Sequence, residues 1–255
     1  MNFSKSSLVI LLSLSVLSIQ AQDSYSLQEK IYQKAAGYGD FSVAKQALYT
    51  MMELKPENTS LLDSLAILYF QSQAYAQSVF VANDILASKP NNANALEIKA
   101  ISQSALGLGK EALADYEKLY TLNKNILYVY KIATLQYQLK RMGECEQSIN
   151  AILLDPKADS QKVPIVYGNR GEQQQIGLKA ACLNMKGVLY KDLGKNELAK
   201  LQFEEALKLE QNFVLAKGNL DALNKLAATE ASTTSAEIES TTEASSSGSK
   251  KKKKR

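Results

Sequence analysis

The 255 residues of this chain contain no histidine. The residues left that could do chemistry are two cysteines, scattered carboxylates and one glycine-rich turn. Without imidazole the sequence excludes a Ser-His triad, a Cys-His pair and a His-ligated metal. Cys145 and Cys182 do not have zinc-site spacing. Carboxylates such as Glu144 and Glu146 fall on predicted helix surfaces, with no neighbour expected to perturb them. We therefore expect no enzyme activity, no metal and no cofactor.

The glycine-rich turn, Gly107 to Ala112 (GLGKEA), matches the spacing of a dinucleotide fingerprint. That fingerprint requires a preceding strand and a following helix. Here a predicted helix precedes the turn, and Gly39 and Gly194 occupy the same position in two related segments. The pattern thus favours a structural turn between helices over a nucleotide site.

Residues 1–21 have the features of a secretory signal: Lys5, an apolar stretch over residues 8–17, and Ala21 before the predicted cleavage site. The alternative, an uncleaved anchor, is disfavoured because the stretch is short for a bilayer span. No later segment is apolar enough to span a membrane, so we expect export to the periplasm or, second, to the extracellular space. In either compartment Cys145 and Cys182 could form a disulfide; the alternative is two buried thiols.

The net charge of +4 is positive only because of the end of the chain, where Lys250 to Arg255 are all basic. The body is nearly neutral, which argues against a nucleic-acid partner. Residues 227–255 begin with a Ser/Thr-rich stretch predicted to be disordered. The basic run either contacts an anionic surface weakly or serves as a solvated tail.

An internal period organises the rest of the sequence. One small-residue position holds Ala44, Ser78, Ala112, Cys145 and Ala199, at spacings of 34, 34, 33 and 54, the last being 34 plus a 20-residue insertion. Each unit has two amphipathic helices, such as 60–72 and 75–88, whose small residues allow close approach. The repeats cover about 25–58, 59–92, 93–125, 126–159 and 180–213.

The period, with Leu62-x-x-Leu65-Ala66-x-x-Tyr69 and Leu183-x-x-Lys186-Gly187-x-x-Tyr190, resembles the tetratricopeptide repeat (TPR) family. Some positions depart from the family pattern, namely Tyr32, Lys99, Lys124, Lys186 and Gln211. The resemblance implies an all-α, right-handed α-solenoid of five helix-turn-helix repeats over residues 22–226. It also implies a non-catalytic scaffold that binds a segment of another protein in its concave groove.

Two further elements complete the predicted fold. Residues 160–179 read as a β-hairpin with a turn at Gly168 to Gly171, either an arm beside the groove or a tolerated surface loop. A helix over 214–226 reads as a cap. Its apolar face, expected to cover the last repeat, comprises Leu215, Leu220, Leu223 and Leu226.

In the TPR family the fifth and twelfth positions of each first helix face the groove. Here those pairs are Glu29 and Ala36, Asp63 and Phe70, Glu97 and Ser104, Tyr130 and Tyr137, and Asn184 and Lys191. This row lacks the clustered cations that hold a C-terminal carboxylate in chaperone-binding members. We expect instead a partner with Lys or Arg near the first repeats and an apolar or aromatic anchor over Tyr130 and Tyr137. The alternative is that both tyrosines pack on the insertion.

A second functional hypothesis belongs to a different class. The repeats would serve mainly for self-assembly into an envelope component, and Lys250 to Arg255 would adhere to an anionic surface. Specific partners would favour the scaffold, whereas self-association alone would favour the structural component.

Overall fold

A computed structural model describes residues 23–229, which fold into helices and one two-stranded antiparallel sheet. The helices are α1 (23–37), α2 (Phe41–Leu54), α3 (Ser60–Gln71), α4 (Tyr75–Ser88), α5 (Ala93–Ala105), α6 (Gly109–Asn123), α7 (Ile126–Gln138), α8 (Met142–Leu154), α9 (Leu178–Asp192), α10 (Asn196–Leu209) and α11 (214–229). A 3-10 turn (Pro156–Ser160) precedes strands β1 (Lys162–Tyr167) and β2 (Glu172–Gly177). The predicted leader over 1–21 and the tail beyond residue 229 lie outside the described residues. None of the helices within 23–229 combines the length and hydrophobicity needed to cross a membrane.

The chain divides between residues 139 and 140 into two compact units. In the first unit, each helix from α2 to α6 packs against the next one along the chain, and α3 also contacts α5. In the second, α9 packs on both α8 and α10. These contacts confirm the all-α class with helix-turn-helix repeats. They arise because one hairpin leaves an apolar face that the next hairpin covers.

The small-residue position lies on the buried face of the second helix of each repeat. All five of its members are 0% exposed, namely Ala44, Ser78, Ala112, Cys145 and Ala199. Ser78 satisfies its hydroxyl by donating to the carbonyl of Ala66 at 3.2 Å. In α9 the facing position is Gly187, where a Cβ atom would lie 2.5 Å from the ring of Phe203. The period therefore records where two helix backbones approach closely.

A left-handed backbone residue turns the chain between the two helices of each repeat. The φ angles are 75° at Gly39, 58° at Gln73, 76° at Gly107, 60° at Lys140 and 71° at Gly194. Their spacings equal those of the small-residue position. Gly107 is thus a structural turn, as the sequence predicts, and α6 begins two residues later.

The departures from the TPR pattern have local partners. The ammonium of Lys99 lies 3.2 Å from a carboxylate oxygen of Asp115, and that of Lys186 donates to Asn150 at 2.8 Å. Lys124, which replaces a closing proline, ends α6 in the left-handed conformation at φ 54°. Tyr32 packs half-buried against the core of the first unit. Four of the five departures are thus accommodated: Lys99 and Lys186 by polar partners, Lys124 by a backbone turn and Tyr32 by packing.

The predicted β-hairpin is confirmed, with β1 paired to β2 from Lys162 opposite Gly177 to Tyr167 opposite Glu172. Val163 and Ile176 are buried, which explains why the insertion carries apolar residues. The Gln174 amide donates to the Asn212 carbonyl at 2.7 Å and accepts from the backbone of residue 214 at 3.2 Å. The hairpin is therefore bound to the start of α11 and is not a free arm.

A helix is present where the cap is predicted, but its buried face differs from the predicted one. Phe213, Ala216 and Leu223 are buried, whereas Leu215 and Leu220 are half-buried. Leu226 is 48% exposed, so the expectation that it covers the last repeat is wrong. The helical period alone did not predict that Phe213, just before the helix, is fully buried.

Candidate partner-binding surface

The first helices of the repeats carry the predicted groove row. Its acidic members in the first unit are Glu29, which is exposed, and Asp63 and Glu97, which are half-buried. An oxygen of Asp63 accepts from the Asn92 amide at 3.4 Å, and one of Glu97 accepts from the Tyr128 hydroxyl at 3.1 Å. Two of these carboxylates are thus positioned by polar groups at the start of the next first helix, because Asn92 caps α5 and Tyr128 lies in the first turn of α7.

The aromatic and small members of the row are mostly half-buried. The ring centroid of Phe70 lies 6.1 Å from that of Tyr75, and Ala36 packs against the core of the first unit. Tyr130 and Tyr137 are both half-buried on α7. Their role as anchors stays a prediction.

In the second unit the row consists of Asn184 and Lys191. Lys191 is exposed, but Asn184 is 7% exposed and accepts from the Asn219 amide of α11 at 2.9 Å. A partner would have to replace this bond to reach Asn184. Sequence reasoning missed the contact because Asn219 lies in the cap, outside the repeat period.

A cavity of about 400 Å³ lies between α5 and α7. Two residues of the predicted row, Glu97 and Ser104, line it together with residues that the sequence analysis did not select. The added lining includes Ile101 on α5 and Leu127, Lys131, Thr134, Leu135 and Gln138 on α7. The lining recurs every three or four residues on both helices, and that spacing on facing helices is the signal that could have found it.

Hydrogen bonds within the helices determine which polar groups the cavity offers. Ser104 donates its hydroxyl to the Ala100 carbonyl at 2.8 Å, and Thr134 donates its own to the Tyr130 carbonyl at 2.9 Å. Each hydroxyl has one proton to donate, so the outward lone pairs of both oxygens act as acceptors. With the Glu97 carboxylate, they give the rim three hydrogen-bond acceptors.

Two tyrosines support Glu97 from the core. Tyr116 is 3% exposed, and its ring centroid lies 6.0 Å from that of Tyr128. Burial, followed by the charge of Glu97, raises the pKa of both phenols. They therefore stay neutral at physiological pH, and Tyr128 can hold the carboxylate without transferring a proton to it.

The cysteines are buried thiols, both 0% exposed. Burial, followed by the nearby Cys145, raises the pKa of Cys182, which disfavours the nucleophilic thiolate. Within residues 23–229, no three His, Cys, Asp or Glu side chains come close enough to hold a metal ion. The expectation of unperturbed carboxylates fails at Glu144, because a hydrogen bond from Arg141 lowers its pKa. Both groups are exposed, so this pair is a surface contact and not a catalytic arrangement.

The buried small residues, the left-handed turns and the stacked hairpins together define a TPR-type helical repeat fold. No protein-family model matches the sequence, and no curated protein matches it. The solved structures of similar fold include the MamA protein, at 16% identity over 74% of this chain and 93% of that chain, with a TM-score of 0.59. A MamA fragment from Desulfovibrio magneticus RS-1 aligns at 16% identity over 75% and 98% of the two chains, with a TM-score of 0.58. YrrB, described as a TPR protein with an unusual peptide-binding site, aligns at 13% identity over 73% and 87%, with a TM-score of 0.57.

Proposed function

We propose that the protein is a non-catalytic scaffold that binds a segment of another protein on the face formed by the first helices of its repeats. The cavity between α5 and α7 carries this proposal. Its volume of about 400 Å³ lies within the range of small ligand sites. It suits a few side chains of a peptide better than a folded surface. YrrB, which has a similar fold, is described as having a peptide-binding site.

The chemistry of the described residues supports a binding role over catalysis. The sequence has no histidine, and the two cysteines are buried. The tyrosines beside the cavity have raised pKa values, so they are poor general bases near neutral pH. What the cavity offers is shape, apolar surface and hydrogen-bond acceptors.

We also propose that the chain is exported to the periplasm, because residues 1–21 have the features of a signal peptide. Cell fractionation of the native host, with mass determination of the mature chain, tests this. Maturation before Gln22 and recovery with the periplasmic fraction are the expected results. An intact amino terminus in the cytoplasmic fraction would contradict export.

Blocking the cavity tests the scaffold function. We expect the full chain, cross-linked in its native envelope, to retain specific partners that Ser104→Trp loses. Ser104 is exposed on the cavity rim, so an indole there fills space without entering the core. Ser88→Trp is the matched control, since Ser88 is an exposed helix serine that also donates to its own helix, at 3.1 Å. Equal recovery of partners by both variants would contradict binding at this face.

One observation favours the second candidate, a self-assembling envelope component. Leu198, Leu201 and Leu209 lie on one side of α10 and are 43%, 51% and 58% exposed. Such an apolar stripe suits contact with another copy. Analytical ultracentrifugation of the chain with and without residues 230–255 tests it. A concentration-independent monomer in both forms would reject self-assembly.

A further inference from the structure

The two hydroxyl groups on the rim of the α5–α7 cavity favour hydrogen-bond donors. The hydroxyl protons of Ser104 and Thr134 are already bonded to their own helices. An incoming donor can therefore bond both oxygens, whereas an incoming acceptor finds no proton there. Gln138 and Asn125 also line the cavity, and their side-chain amide N–H groups can donate to an incoming acceptor.

The charge on the cavity wall favours a cation. Glu97 takes part in none of the ion pairs recorded between residues 23 and 229, and its one bonded partner, Tyr128, is neutral. Two residues further along α5, Lys99 is held by Asp115 and does not reach Glu97 as an ion-pair partner. Half-burial beside apolar side chains strengthens the field of a carboxylate relative to one in open water.

The middle of the cavity is apolar. Ile101 projects from α5 between Glu97 and Ser104, and Leu127 and Leu135 flank it from α7. Lys131 completes this wall, and its aliphatic stem can line the cavity while its ammonium stays in solvent. An apolar side chain entering here would be desolvated within reach of Glu97.

From this arrangement we infer the ligand class of the cavity: a peptide segment that inserts an aliphatic or aromatic side chain over Ile101 and places an adjacent Lys or Arg on Glu97. The inference rests on the proposed scaffold function and adds its specificity. In this inference the apolar side chain of the peptide binds in the cavity and not over Tyr130 and Tyr137, which do not line it. Acceptors on Ser104 and Thr134 would then bond backbone N–H groups of the segment.

A displayed library of random heptapeptides, selected on the full chain, is the probe. We expect enrichment of sequences with an apolar residue beside Lys or Arg. The affinity of a selected peptide should fall about tenfold in Glu97→Gln, since a hydrogen bond to a charged group contributes that order. Glu117→Gln is the control, because Glu117 is exposed on α6 and does not line the cavity.

Two further variants separate the cation from the apolar contact. Lys131→Met removes a positive charge but keeps the stem, so binding of the basic peptide should stay equal or tighten. Ile101→Ser should weaken binding about tenfold, whereas Leu122→Ser, at a residue 42% exposed outside the cavity, should not. Thermal unfolding of each variant establishes that it is folded. If Ile101→Ser unfolds, the Glu97→Gln and Lys131→Met results still decide.

The results distinguish this inference from the scaffold function. Enriched acidic peptides, or binding lost in Lys131→Met, would overturn the ligand class while leaving a peptide-binding scaffold. If no peptide is selected but Ser104→Trp loses native partners, the ligand class is overturned and the scaffold function stands, because a folded partner would then occupy the face. A failed selection with partners retained by Ser104→Trp would reject both.

Discussion

A single methyl group at Gly187 tests whether close helix approach accounts for the small-residue pattern. The Cβ atom of Gly187→Ala would lie 2.5, 2.6 and 2.9 Å from three ring atoms of Phe203, which is 0% exposed. Forcing such a contact in a packed core costs about 1–3 kcal/mol. Because alanine has a better helix propensity than glycine, the substitution also stabilises the helix by up to about 1 kcal/mol. We therefore expect a net loss of up to about 2 kcal/mol.

The same substitution at Gly218 is the matched control, because no atom lies within 4 Å of its Cβ position in α11. Gly218→Ala should gain about 0.5–1 kcal/mol from helix propensity alone. Urea unfolding monitored by circular dichroism measures both changes, and Phe203→Leu should partly rescue Gly187→Ala by freeing space. If Gly187→Ala matched the stability gain of Gly218→Ala, close approach would not be the reason for glycine there.

The remaining predictions concern the turns, the hairpin and alkaline pH. Gln73→Gly should stabilise the chain by about 1 kcal/mol, because Gln73 has a φ of 58°, and an unchanged melting temperature would argue against strain there. Gln174→Ala should cost about 1–2 kcal/mol in urea unfolding through the loss of two hydrogen bonds, while its exposed neighbour Gln173→Ala should be near neutral. Burial, aided by a hydrogen bond to Glu146, raises the pKa of Tyr190 to about 12. Its contribution to stability is therefore complete below its unfolded pKa of about 10 and is lost as pH rises through about 12. Tyr190→Phe should flatten that alkaline loss, and an unaltered pH profile would show that Tyr190 does not contribute.

The repeat period predicted the fold because it records backbone geometry. Ala44 and Ala112 are small where two helices meet, and Gly39 and Gly107 have positive φ where the chain turns between them. These constraints act within one hairpin and recur in each repeat, so one sequence can display them several times. The hairpin insertion was predictable for a different reason, since alternating apolar residues and bounding glycines are local signals.

Contacts between elements far apart in the sequence could not be predicted in the same way. Asn184 is buried because Asn219 of the cap bonds to it, and Gln174 is fixed by the turn before α11. Each contact occurs once, so no period reveals it. The cavity also escaped prediction, since it depends on how Ile101 and Leu127, which lie outside the family's groove positions, face each other across two repeats.

The hydrogen bond from Tyr128 to Glu97 shows how the core can position a carboxylate without cancelling its charge. A lysine at the place of Tyr128 would hold the carboxylate and also neutralise it, as Lys99 does for Asp115. A phenol gives one hydrogen bond and no charge, and burial raises its pKa so that it stays protonated. The Tyr128 ring packs on Tyr116, so the position of the Glu97 carboxylate depends on how the helices pack in the core. Glu97 therefore keeps its negative charge for the peptide ligand proposed above, and folding has already ordered the side chain, so binding need not supply that entropy.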